Sequence, residues 1–151
     1  MTAREATRQL QFINQTRRKL ALGGLGLIGG LVLAKNRTGA GWNIRIILVP
    51  ERQMIALNRR YFERSETTDV ISFNLNAATE PVLEGEVYIC LEVAERQAKV
   101  YGVSLGNELQ RLATHGLYHL LGYEDGEPQQ KEIMTALEDE ALQQAAACLG
   151  R

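Results

Sequence analysis

A chain of 151 residues, 45% hydrophobic and 23% charged, is long enough for one domain with a real core. It is too ordinary in composition for a disordered, collagen-like or disulfide-stapled protein. The net charge of −1 hides an imbalance: residues 1–75 hold twelve Lys/Arg against five Asp/Glu, and residues 76–151 hold five against thirteen.

The polar residues 1–8 read as a frayed or helical start, and Leu10 to Asn14 as a short strand. Arg17-Arg18-Lys19 precedes Leu20–Ala34, fifteen residues of Leu, Ile, Val, Ala and Gly. That outline resembles a secretory signal, but it falls short of the ~20 residues of a spanning helix and no small-x-small cleavage site follows. The favoured reading is a buried helix, or helix plus glycine turn, under a sheet. Trp42–Val49 is an apolar strand stopped by Pro50. Glu51–Arg64 is a helix with Met54, Ile55, Leu57 and Tyr61 inward and Arg59, Arg60 and Arg64 outward. Thr67–Phe73 is a strand, Asn74–Glu84 a loop, and Gly85–Cys90 a fourth strand. Glu92–Tyr101 is a helix with Val93, Ala94 and Ala98 inward, closed by Gly102. Ser104 caps the next helix, which runs to about Leu121, and Gln129–Leu149 is a last helix with Ile133, Leu137 and Leu142 inward. The order predicts an α+β single domain over 1–151: one mixed sheet of about four strands against about five helices.

The only two histidines, His115 and His119, are spaced i and i+4 and so stack on one helix face. They flank an apolar stripe of Leu109, Leu112, Ala113, Gly116, Leu117 and Leu120. A plain histidine pair beside such a stripe is often only a polar flank. Here Gly122 ends the helix and lets the chain return Asp125 to the same point. His-x3-His-x5-Asp therefore reads as a three-ligand metal site with an open position, on a central helix and the turn after it. Glu108, two turns earlier, is either support for that site or a solvated side chain. Cys90 and Cys148, outside any CxxC pair, read as free thiols in a reducing compartment.

His115-Gly-Leu-Tyr-His119-Leu-Leu-Gly-Tyr-Glu-Asp125 resembles the hallmark H-G-x-L-H-L-x-G-Y-D-H of the YbeY family of bacterial endoribonucleases and ribosomal-RNA maturation factors. Leu57-Asn58-Arg59-Arg60-Tyr61-Phe62 followed by Thr68-Asp69-Val70-Ile71-Ser72-Phe73 resembles its L-N-x-x-Y-R and T-D-V-L-S-F blocks. Gly85-Glu86-Val87-Tyr88-Ile89 resembles G-D-I-x-I. The blocks stand in family order from about Ile44 to the helix of Met134. The resemblance implies a cytoplasmic, zinc-dependent endoribonuclease acting on precursor ribosomal RNA, with the small ribosomal subunit or its assembly factors as partners and neither membrane nor DNA.

At two places the chain departs from that pattern. The third family ligand is a histidine where this chain has Asp125, which keeps a site but makes it more anionic and widens the choice of divalent ion. The family carries an arginine assigned to RNA cleavage where this chain has Phe62. Arg59, Arg60 or Arg64 would have to reach the phosphate instead, Arg64 first. If none does, the alternative is a non-catalytic metal-binding assembly factor that binds RNA or ribosomal protein. Arginine suits phosphate because its planar fork grips two oxygens, and the basic half holds ten of them. They would form a polyanion surface, or they merely solvate helix faces. Tyr61 or Trp42 would stack a base if exposed; core packing is the plainer role. The spacing is also similar to metzincin proteases, but the glutamate base after the first histidine is Gly116 here, so a peptidase lacks its proton acceptor.

Overall fold

The computed structural model describes residues 7–77 and 79–149; the expected polar start falls almost wholly outside them. In chain order the elements are β1 (Arg8–Asn14), α1 (Gly23–Asn36), β2 (Gly41–Val49), α2 (Glu51–Phe62), β3 (Val70–Asn74), β4 (Val82–Cys90), α3 (Leu91–Tyr101), α4 (Leu105–Leu120) and α5 (Pro128–Leu149). The strands form one mixed sheet in the order β1-β2-β4-β3, with β3 antiparallel at the edge and the other pairings parallel. The expected α+β architecture is the one observed.

The period-2 geometry of a strand sorts the apolar residues onto two faces. Ile44, Ile46 and Leu48 of β2 join Leu83, Val87 and Ile89 of β4 in the large core beneath α1, α4 and α5. Ile47 and Val49 point the other way, to Met54 of α2, Cys90 and Val93. Covering both faces explains why β2 reads as an almost unbroken apolar run.

The glycine-rich segment is α1, with Leu25, Ile28, Val32 and Leu33 buried. Interior glycines Gly26, Gly29 and Gly30 cost about 1 kcal/mol each against alanine. Burial of the four large side chains returns about 1.5–3 kcal/mol apiece, so packing decides the outcome over propensity. Among the described residues no helix is long and apolar enough to cross a membrane.

Several expectations fail in detail, and β3 begins at Val70 rather than Thr67. In α2 Met54 is buried, but Tyr61 is 53% exposed and the inward position goes to Asn58. The Asn58 amide donates to the Glu66 carbonyl at 2.8 Å, a tertiary hydrogen bond that hydrophobic periodicity cannot show. The helix also stops at Phe62: Glu63 is left-handed (φ 56°) and Arg64 N–H turns back to the Asn58 carbonyl, so Arg64 belongs to the following loop. In α5 Ile133 is 53% exposed, and Met134, Glu138, Ala141 and Ala145 face inward. That stripe contains a carboxylate, which disguised its phase. β4 starts at Val82, earlier than expected, because Gly41 of β2 pairs there.

Ser104 does cap α4, its Oγ accepting from Asn107 N–H at 3.0 Å. Ser104→Ala is expected to lower unfolding stability by about 1 kcal/mol in a urea titration, leaving the helix content of the folded state unchanged.

Candidate metal centre

The site is built where α4 lies against the sheet edge. A Cβ on Gly116 would stand 2.5 Å from Val87 Cγ1 and 3.1 Å from Ser72 Oγ, so only glycine permits this approach. Ser72 O–H donates to the Gly116 carbonyl at 2.9 Å, and the Asn74 amide donates to the Leu120 carbonyl at 3.1 Å. These bonds hold one side of α4 to β3. Past the helix end Gly122 takes φ 103°, a conformation costly for any residue with a Cβ. The reversal brings Asp125 back over the last turn.

There His115 Nε2 and His119 Nε2 are 2.9 Å apart. Asp125 Oδ2 lies 3.1 Å from the first and 3.5 Å from the second. Ligands bound to one tetrahedral zinc at ~2.0–2.1 Å are separated by roughly 3.3 Å. The three expected donors thus fit the edges of one coordination polyhedron. Among the described residues these three make up the only such group; neither Glu124 nor a cysteine adds a fourth donor.

The remaining ring nitrogens fix the tautomers. His115 Nδ1–H donates to Glu138 Oε2 at 2.6 Å, and His119 Nδ1–H donates to the Tyr123 carbonyl at 2.9 Å. Both Nε2 lone pairs then converge on one point beside a carboxylate oxygen. Three facing acceptors repel unless a proton or a metal cation lies between them, so the donor set suits a divalent ion once that proton has left. Arg111 braces Glu138 at 3.0 Å and grips Asp139 at 2.7 Å. Burial pulls the His115 pKa down, but the Glu138 hydrogen bond and the charges of Glu138, Asp125 and Asp69 outweigh it, and the net direction is upward. A folded-state pKa above the ordinary 6.5 stabilises the protein at low pH, and that contribution is lost as pH rises through the raised value. An ion must displace the same proton, so metal affinity is expected to climb with pH across that window, as a pair of titrations at about pH 6 and about pH 8 would show.

Glu138 sits on α5, and no sequence signal marked it; His115 and Arg111 together account for a carboxylate at 6% exposure. Glu138→Gln is expected to weaken metal binding by roughly 10- to 100-fold with little change in fold. Glu108 is buried rather than solvated. It is 2% exposed, its Oε1 has no partner, and burial pushes its carboxyl pKa up, helped by Asp69 and Glu138 and opposed by Arg111. It lines a cavity of about 390 Å³ with Arg111, Glu138 and Asp139.

His119 and Asp125 open into a groove of about 630 Å³ that Asn58, Phe62, Arg64 and Ser72 also line. Arg64 is therefore brought to the site; Arg59 and Arg60 do not line that groove. Trp42 is 6% exposed in the core, with the Arg8 guanidinium 4.9 Å from its ring. Three cations of the basic half are paired with carboxylates of the acidic half. Arg18 pairs with Glu95, Arg45 with Glu86, and Lys35 with Glu140. Cys90 and Cys148 are both free.

A sequence model described as endoribonuclease YbeY matches residues 28–146. The chain belongs to this family. YbeY-family relatives named as endoribonucleases include one from Mycobacterium ulcerans, 34% identical over 130 residues (80% of this chain and 73% of the relative). Another, from Thermobifida fusca, is 37% identical over 107 residues (66% and 69%). The solution structure of TM1509 from Thermotoga maritima superposes with a TM-score of 0.67, covering 92% of this chain and 90% of that one. At 21% identity it shows that the fold is shared.

Proposed function

We propose that this chain is a metal-dependent endoribonuclease of ribosomal RNA maturation and quality control. It acts as one unit in the cytoplasm, on precursor RNA in company with the small ribosomal subunit or its assembly factors, and needs neither membrane nor DNA. The observation that carries the reading is the convergence of His115, His119 and Asp125 at ion-binding distances, with His119 and Asp125 in the wall of a groove open to solvent. Family membership supports RNA as the substrate class.

Two imidazoles and a carboxylate suit Zn2+, and the carboxylate admits other transition ions. Such an ion, when bound, supplies Lewis acidity to a phosphoryl oxygen and acidifies water toward pKa ~7. The protein's own groups do the rest. Glu138 and the Tyr123 carbonyl aim the two rings, so no ring rotation is needed on binding. Arg64, exposed on the groove wall, offers a guanidinium to the negative charge that grows on the phosphate.

Single-turnover cleavage of a structured RNA, with and without chelator and beside a filter-binding titration, tests this. Cutting that chelator abolishes and added metal restores is the expected result. Phe62 at the groove, where the family has an arginine, favours one second reading: a metal-stabilised RNA-binding assembly factor. Retained binding with no metal-dependent cutting would select that reading.

A further inference from the structure

One aromatic side chain lines the groove into which His119 and Asp125 open. Phe62, 48% exposed, is the last residue of α2 and lines the groove with His119 and Asp125. Its ring lies 6.1 Å from that of Phe73, tilted by only 21°. Phe73 meets Tyr61 edge-on at 5.0 Å and Tyr88 edge-on at 5.8 Å, so four rings brace one another. Tyr61 and Leu75, 53% and 56% exposed, line a second cavity with Phe73 and Tyr88. Arg60 stands 5.4 Å from the Tyr61 ring, and Arg64 is on the groove wall.

Leaving so much aromatic surface in water forgoes about 25 cal/mol per Å² of burial, so a ligand that covers it gains affinity. Flat rings flanked by guanidiniums match one chemistry well: a nucleobase on the ring and its phosphates on the cations. We infer that Phe62, backed by Phe73, is a stacking platform for one unpaired base of the RNA, next to the phosphodiester presented to His119 and Asp125. The inference rests on the RNA reading of this groove, and it reverses the usual logic of the position. An aromatic face takes hold of the base where a guanidinium would take the phosphate. Affinity at this point is then carried by stacking, which salt screens weakly, and a base held in a duplex cannot reach the ring.

The test is binding, read by fluorescence anisotropy in chelator so that it is independent of cleavage. The probes are a labelled single-stranded oligouridylate, the same strand annealed to its complement, and an abasic ribose-phosphate strand of equal length. Phe62→Ala is expected to weaken the single strand about 10-fold while leaving the duplex and the abasic strand unchanged. The slope of log affinity against log salt should not change. Phe62→Trp should retain affinity, and Phe62→Leu, which keeps the apolar contact with Phe73, should behave like alanine. Arg64→Ala should instead lower that salt slope by about 1.

Equal binding of the single strand by Phe62→Ala and the unmodified protein overturns the inference, as does an equal loss on the abasic strand. Failure of the unmodified protein to bind single strands also overturns it. Self-association that Phe62→Ala removes while RNA binding persists would assign the patch to a second copy of the chain instead. Absence of cleavage, with the stacking pattern intact, would sink the nuclease reading alone.

Discussion

His119→Ala is expected to lower metal-dependent RNA cleavage by on the order of 10³-fold and to leave the fold intact. Lewis-acid stabilisation of a transition state is worth several kcal/mol, and each 1.36 kcal/mol is tenfold in rate. With His119 gone, the ion keeps one imidazole and one carboxylate, too few to hold it at ordinary concentrations. The side chain is 28% exposed and stands outside the core cluster, so its removal makes no interior cavity. His119 is a cleaner probe than His115, whose loss would strand the Glu138 carboxylate with only Arg111 for company. Loss of bound metal and of cleavage together, with an unchanged unfolding midpoint and RNA still bound, is the full expected pattern. Cleavage at the normal rate by a metal-depleted variant would separate the histidines from the chemistry.

The second large effect is on stability. Gly116→Val should destabilise by about 3 kcal/mol in urea unfolding and reduce metal binding with it. Its Cβ alone would sit 2.5 Å from Val87 Cγ1 and 3.2 Å from Val70 Cγ2, and Val87 is fully buried. Overpacking of this kind typically costs 1–3 kcal/mol, and a β-branched residue adds strain within a helix. Alanine is instructive here because it improves helix propensity by about 0.8–1 kcal/mol. A 2.5 Å contact with a buried methyl outweighs that gain, so Gly116→Ala should be destabilising too, though less. A stabilised Gly116→Ala would mean that α4 stands further from the sheet than described. The glycine between His115 and His119 is thus a packing requirement first: it lets α4 touch β3 and β4, and that contact places the helix turn that carries the two histidines.

Much of this was legible in the sequence because it is local. The nine elements follow from period, caps and breakers; Ser104, Gly102 and Gly122 are where the helices stop or start. The three donors are close in sequence, so one helix turn and one bend were enough to predict their convergence. What escaped was long-range. Glu138 reaches His115 across 23 residues, and its carboxylate broke the apolar stripe that α5 was expected to show. Asn58 is buried only because Glu66 folds back to accept its amide. Glu108 read as site support or a solvated side chain because a wheel cannot show the cavity it shares with Glu138 and Asp139 of α5. The left-handed Glu63 moved Arg64 off the helix face, and Phe62 came to the groove as a consequence of where α2 ends.

The most direct test of the site is metal stoichiometry on the purified protein and on Asp125→Ala. The unmodified protein should bind about one divalent ion per chain, and Asp125→Ala should lose most of it at equal free metal. A stoichiometry and affinity indifferent to that substitution would mean the carboxylate is not a ligand, and the three-donor centre would not exist as described.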